Sequence, residues 1–274
     1  MSSEDVSQKP VAIVTGASGG LGLVISQTLA SQDYRVILVG RNRERLHEAR
    51  QRLSGQNHAA IVGDVTNQAD VTRLFAEVHA QCGRLDVLVN CVGTSDRGLI
   101  ENLSTEKLDE LIQQNVLTAL LCCQAAIPAL EQSQGVIVNI GSLAAKVGAR
   151  YIGGYAIAKH ALAGMTQQLR LELKPRGIHV GLVNPGPIQR SDAGQRYRDS
   201  IDDRLPAQAA APGGGARLKG LPPQRVADAV MGCISRRRPD VVLPRHLRLL
   251  IGIGHLIPRL GDWLLMKFTS SKDQ

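Results

Sequence analysis

Short, mainly apolar runs alternate along most of this chain with longer stretches in which apolar residues recur every three or four positions. The short runs fall at residues 11–15, 35–39, 59–62, 86–89, 136–140 and 179–183, and predict strands. The longer stretches, at residues 42–53, 68–81, 105–130 and 153–174 and between the first two strands as far as Leu29, predict helices. Strands that are apolar at every position, rather than at alternate ones, are covered on both faces. Alternation of such strands with amphipathic helices predicts βαβ units. The expected fold is therefore α/β: a doubly wound parallel sheet with helices on both faces, in one domain over residues 10–243.

After Pro185 the regularity fails. Ala193, Tyr197, Ile201 and Leu205 keep a four-residue spacing and predict a short helix, but residues 206–223 are rich in Ala, Gly and Pro. An irregular stretch this long within a compact domain predicts a mobile lid over residues 189–223. A helix at 224–236 and a strand at 240–243 follow. The extension over residues 244–274 is apolar and basic together. Leu260, Leu264 and Phe268 form one stripe, with Trp263 beside it and Pro258 suited to the first turn of a helix. Arg248, His255, Pro258 and Arg259 interrupt the segment too often for a transmembrane helix. Two readings stay open: it packs beside the substrate mouth, which is favoured, or it makes peripheral contact with an anionic membrane.

Charge and composition narrow the function. A net charge of +8 implies a polyanionic contact, whether nucleic acid, membrane surface or phosphorylated cofactor. One Trp and two Phe leave little for base stacking, so no nucleic-acid partner is expected. The five cysteines contain no C-x-x-C pair, which argues against a disulfide framework or a zinc site, and no metal is expected. The first nine residues are polar, are expected to be flexible and lack the apolar stretch of a signal peptide. The expected compartment is the reducing cytoplasm.

Chemistry enters at three places. The turn after the first strand contains Gly16, Ser18, Gly20, Leu21 and Gly22, and glycines that open a helix let backbone N–H groups approach a pyrophosphate. The second strand ends in Gly40-Arg41 where a binder of the unphosphorylated dinucleotide carries an acid. A guanidinium there suits a 2′-phosphate, whereas Arg43 and Arg45 read as the solvated first turn of a helix. Finally, Tyr155 and Lys159 lie four residues apart on a predicted helix and so share a face, with Ser142 upstream. A free phenol, with a pKa of about 10, is a poor proton carrier near neutrality. A neighbouring cation favours its ionised form.

These motifs occur in one order, and over residues 10–190 the sequence resembles the short-chain dehydrogenase/reductases, a Rossmann-type family. The resemblance rests on Thr15-Gly16 through Gly22, Asp64, Asn90 to Gly93, Asn115, Ser142, Tyr155, Lys159 and Asn184-Pro185-Gly186. It implies a catalytic set in which Ser142 binds the substrate oxygen and Tyr155 transfers the proton. Lys159 also holds the nicotinamide ribose, and Asn115 keeps a water in the proton relay. It implies further cofactor contacts from Asp64 and Val65 to the adenine, from Asn90 and Gly93 along the inner edge, and from Pro185, Gly186 and Ile188 to the nicotinamide. With Arg41 the implied cofactor is NADP(H), and the implied reaction interconverts a carbonyl and a secondary alcohol. The family also implies a homodimer or homotetramer paired through the helices at 105–130 and 153–174.

The chain departs from the family pattern in three ways. Asn90-Cys91-Val92-Gly93 replaces the common Asn-Asn-Ala-Gly. Arg190 stands where a threonine usually fixes the nicotinamide amide, leaving Ser191 or the Ile188 backbone to serve. The last strand lacks the Asp-Gly-Gly ending of the 3-oxoacyl carrier-protein reductases, and its apolar tail looks more like relatives acting on bulky apolar carbonyls. The alternative is an idle dinucleotide sensor or membrane-associated scaffold on the same fold. Retention of Asn115, Ser142, Tyr155 and Lys159 together argues against it.

Overall fold

In a computed structural model, residues 9–189, 205–210, 213–214 and 218–269 are described. Seven strands form one parallel sheet: β1 (Val11–Thr15), β2 (Arg35–Gly40), β3 (Ala59–Val62), β4 (Val87–Asn90), β5 (Val136–Ile140), β6 (His179–Pro185) and β7 (Asp240–Leu243). Their spatial order is β3-β2-β1-β4-β5-β6-β7. The order reverses between β1 and β4, so the crevice beyond their C-terminal ends is the natural ligand site of such a sheet. β1, β4 and β5 are buried at every position, the state that their mainly apolar runs anticipate.

Helices cover both faces. On one side α1 (Gly20–Ser31), α2 (Arg43–Gln51) and α7 (Pro223–Arg236) enclose a core that includes Leu29, Leu46 and Val230. On the other, α3 (Gln68–Cys82), α5 (Thr118–Ser133) and α6 (Gly153–Leu173) enclose Leu74, Cys122, Cys123, Leu130 and Leu169. The adjacent Cys122 and Cys123 are thus core residues, and burial pushes both thiols up, Cys123 to about 12. None of the five cysteines is joined in a disulfide.

The structure refines the sequence expectation in two places. The helix expected over 105–130 forms and runs from Thr105 to Ser133, but within it a π-helical turn, Gln113–Leu117, separates α4 (Thr105–Ile112) from α5. The tail is a pair of helices, α8 (Leu247–Leu256) and α9 (Pro258–Thr269), of which only the second was anticipated. The helix expected around Ala193, Tyr197 and Ile201 lies outside the described residues. Leu205 is described and buries against Tyr151, Ala209 and Leu99. The two ends of the 189–223 excursion are joined: Gln189 N–H donates to the Leu221 carbonyl at 2.9 Å, and Leu221 N–H donates to that of Pro187 at 2.7 Å.

Polar cross-links brace the sheet beneath the crevice. Asn90 Nδ2 donates to Asn139 Oδ1 and Asn139 Nδ2 to Thr166 Oγ1, both at 2.9 Å, joining β4, β5 and α6. All three side chains are buried, so these bonds supply partners that water cannot. Asn139→Ala leaves the Asn90 amide without its oxygen acceptor and should lower unfolding free energy by about 1–3 kcal/mol. The shift of the urea midpoint measures this, and an unchanged midpoint would show that the bridge is dispensable.

Candidate active site

The crevice is walled first by the turn between β1 and α1. Gly16 has φ +68°, and a Cβ there would press on the Cys91 carbonyl at 3.3 Å. A Cβ on Gly22 would collide with the Gly16 carbonyl, so this glycine lets α1 close onto the turn. No side chain caps α1, and its first turn carries no acid. The helix therefore presents backbone N–H groups and the positive end of its dipole to the crevice, as an anion requires. Thr15 Oγ1 accepts from Cys91 N–H at 3.1 Å, and Ala17 N–H donates to the Val39 carbonyl at 3.1 Å, fixing the turn to its neighbouring strands.

The deeper wall comes from β5 and α6. Ser142 follows β5, where its Oγ accepts from Ala144 N–H at 3.1 Å. Tyr151, held left-handed at φ +66°, donates no turn of helix; its carbonyl accepts from Gly98 N–H, and α6 starts just beyond it. Tyr155 and Lys159 then share a face as expected, with Lys159 Nζ 5.7 Å from the centre of the phenol ring. Lys159 is only 4% exposed, and its Nζ donates to the Ile140 carbonyl at 3.0 Å. Burial pulls its ammonium down from the usual range to about 8, opposed weakly by Cys91.

Asn115 sits within the π-helical turn, a feature that often marks functional sites. Its Nδ2 donates to the Leu111 carbonyl at 2.9 Å, while its buried Oδ1 has no partner. A Cβ at position 93 would lie 2.7 Å from that oxygen and 3.3 Å from Lys159 Nζ, so Gly93 keeps open the space they share. An orphaned buried acceptor beside a buried ammonium is suited to a bridging water or ribose hydroxyl.

These features open into one cavity of about 1670 Å³. That exceeds the ~300–1,000 Å³ usual for one small ligand, and leaves room for a dinucleotide and a second molecule. Its lining includes the sequence candidates Gly16, Ser18, Gly20, Leu21, Gly22, Gly93, Asn115, Ser142, Tyr155, Lys159, Pro185, Gly186 and Ile188. The glycine turn, the uncapped helix and the orphaned Asn115 oxygen fit a nicotinamide dinucleotide.

Four candidates lie elsewhere. Asn90 does not reach the cavity lining; its amide is turned into the sheet toward Asn139 and Cys123, so it supports Cys91, Val92 and Gly93, which do line it. Val65 is buried in the core. Asp64 Oδ1 accepts from Thr66 N–H and Oγ1, and its Oδ2 lies 4.0 Å from Arg41 Nη1. Arg41 itself is 72% exposed beside the end of β2. Arg190 and Ser191 lie outside the described residues.

The cavity also gathers residues that the sequence motifs did not mark. Arg45, exposed in the first turn of α2 as expected, also borders it. Its position is set by Asn42, whose side chain caps α2 by accepting from Arg45 N–H at 2.8 Å. That capping pattern, asparagine three residues before the arginine, was the available signal. Lys146 also lines the cavity and pairs with Asp240, which accepts from Asn184 Nδ2 as well, tying β6, β7 and the loop after Ser142 together. His246, Leu247, Ile251, Pro258, Leu264 and Leu265 form a further wall from α8 and α9. This bears on the favoured expectation for the tail: part of it faces the cavity, although Leu260 and Leu264 do not act as one stripe.

Known proteins share both sequence and architecture. A family model described as short chain dehydrogenase matches residues 10–202. The carbonyl reductase family member 4 of Danio rerio is 34% identical over 178 residues, covering 65% of this chain and 75% of the relative. A ketoacyl reductase of Nostoc is 28% identical over 260 residues, covering 91% and 86%. Among solved structures, actinorhodin polyketide ketoreductase with NADPH superposes with a TM-score of 0.76 at 28% identity, covering 88% of this chain and 98% of that one. With the fold, the cavity and the family match in agreement, the chain belongs to the short-chain dehydrogenases and is an oxidoreductase of that family.

Proposed function

We propose that this chain is an NADP(H)-dependent reductase or dehydrogenase that interconverts a carbonyl and a secondary alcohol on a bulky, apolar substrate. The observation that carries the reading is the buried Lys159 ammonium beside the Tyr155 ring, in the same cavity as the glycine turn. The reductase names of the relatives and the NADPH in the ketoreductase structure support it.

The bound dinucleotide supplies hydride chemistry at its nicotinamide ring. The backbone N–H groups at the start of α1 would hold its pyrophosphate, and Arg41, joined by Arg45, its 2′-phosphate. Asp64 and the backbone at Val65 would serve the adenine end, and Pro185, Gly186 and the Ile188 backbone the nicotinamide. In the reduction direction Ser142 Oγ hydrogen-bonds the substrate carbonyl oxygen, and Tyr155 donates its phenolic proton to that oxygen. The Lys159 ammonium favours the phenolate left behind. Asn115 Oδ1 holds the water through which the proton is restored. The apolar side chains of α8 and α9 that face the cavity supply the surface for a bulky substrate.

Tyr155→Phe keeps the ring's packing and removes the proton. Ketone-dependent NADPH oxidation should fall by ~10²-fold or more while NADPH binding persists. Near-normal turnover would overturn the mechanism.

Arg41→Ala should weaken NADPH by about tenfold to a hundredfold, the worth of a charge-assisted hydrogen bond, and leave NADH nearly unchanged. Arg45→Ala should act in the same direction. Equal loss of both cofactors in Arg41→Ala would mark that residue as structural.

Lys159 generates a pH dependence with a definite sign. Its cation is present below about 8 and is lost as the pH rises through that value. NADPH titrations should therefore weaken across this interval, and Lys159→Met should bind weakly throughout without the step. A step that survives in Lys159→Met would assign the titration to another group.

A further inference from the structure

Helices α8 and α9 have two apolar faces, and only one of them faces the cavity. Among the described residues, seven of the ten large apolar side chains that remain exposed belong to this pair and the residue that joins them, Ile257. Six of them lie outside the cavity lining: Leu249, Leu256, Ile257, Leu260, Trp263 and Met266. Leu249 and Leu256 are 72% and 83% exposed, and no residue of α8 is buried. The two helices are held against each other where Gly254 meets Gly261; a Cβ on Gly261 would lie 2.8 Å from the Gly254 carbonyl. The outward apolar surface therefore belongs to a closed helical hairpin, and an exposed apolar patch of this kind marks an interaction surface.

The charge on the hairpin says what covers it. Arg245, Arg248, Arg259 and Lys267 are all exposed, and Lys267 Nζ lies 4.9 Å over the Trp263 ring. Residues 244–269 hold a single acid, Asp262, which lines the cavity. A second copy docked through this face about a two-fold axis would set the same cations against one another with almost nothing to offset them. An anionic lipid surface instead complements every one of them, and takes the leucines and the tryptophan into its interfacial layer. Helices of 10 and 12 residues are too short to span a bilayer, which needs about 20. They are long enough to lie in its surface.

We propose that the α8–α9 hairpin docks this protein onto an anionic membrane surface. The outer face enters the headgroup boundary while the inner face remains a wall of the active-site cavity. The membrane contact itself stands apart from the reaction assigned above. Resting on that reaction, it also gives the substrate a route: an apolar carbonyl dissolved in lipid reaches the cavity beside the hairpin.

The test uses the full chain and vesicles of phosphatidylcholine with or without phosphatidylglycerol. The protein should float with the anionic vesicles, release as salt is raised, and stay in solution with phosphatidylcholine alone. Trp263 is the only tryptophan, so its emission should shift to the blue on binding and be quenched by brominated lipid. Leu256→Glu with Leu260→Glu, and separately Arg248→Glu with Arg259→Glu, should abolish flotation while NADPH binding is retained, which checks that the variants fold. Addition of anionic vesicles should raise turnover of a lipid-dissolved ketone by the wild type and not by either double variant. Flotation without turnover would sink the assigned reaction and leave the membrane contact standing. Failure to float with anionic vesicles would overturn the contact, as would a lipid-free dimer in which Trp263 is already shielded.

Discussion

A lysine ammonium buried with no carboxylate beside it among the described residues is the constraint around which this molecule is organised. Burying an unpaired cation is costly, and the cost shows as an ammonium that releases its proton near 8. What holds it is the Ile140 carbonyl at the end of β5, and that fixes where α6 must cross the sheet. Each neighbouring feature follows. The residue opposite must be Gly93, because a Cβ would press on both Asn115 Oδ1 and Lys159 Nζ. The π-helical turn brings Asn115 to the same point, and the left-handed Tyr151 lets the chain turn into α6.

The sheet under this point is reinforced by side chains rather than by backbone alone. Asn90, Asn139 and Thr166 join β4, β5 and α6, and Asp240 gathers Asn184 and Lys146 at the far side. The two networks flank the strand that carries Ser142. Buried hydrogen bonds of this kind resist movement, since a shift that breaks one leaves its donor without an acceptor. The cavity therefore has a stiff floor, made from strand ends, and more open walls made from the segments after β6 and β7.

Those walls account for how one widely used fold is fitted to a particular substrate. The ends of the excursion after Ile188 are joined at Leu221, so the segment leaves and re-enters the body at one place. Its described part returns onto the loops near the site, where the Ala209 carbonyl accepts from Arg97 Nε and Leu205 packs on Tyr151. The α8–α9 hairpin closes the remaining side, and His255 Nε2 lies 2.7 Å from the Lys146 carbonyl, next to the loop that carries Ser142.

Much of this was legible in the sequence because the physics is local. Strands buried on both faces must be largely apolar, and all seven stand out as short, mainly apolar runs. The Tyr155–Lys159 pair follows from helical periodicity, and the glycine turn from the backbone's need to bend and to approach an anion. The remainder depends on neighbours distant in the chain. The 105–130 pattern reads as one helix, because a single inserted residue of π-helix barely disturbs an apolar stripe, yet that insertion aims Asn115. The same asparagine chemistry at position 90 serves the sheet, since Asn139 and Cys123 stand where its amide points. Arg45 borders the cavity because the Asn42 cap sets where α2 begins, which composition alone does not disclose. The tail's apolar residues announce that something covers them, but a stripe in sequence has no direction. Only the packing of Gly254 on Gly261 folds that segment into a hairpin, turning Leu264 toward the cavity and Leu260 away from it.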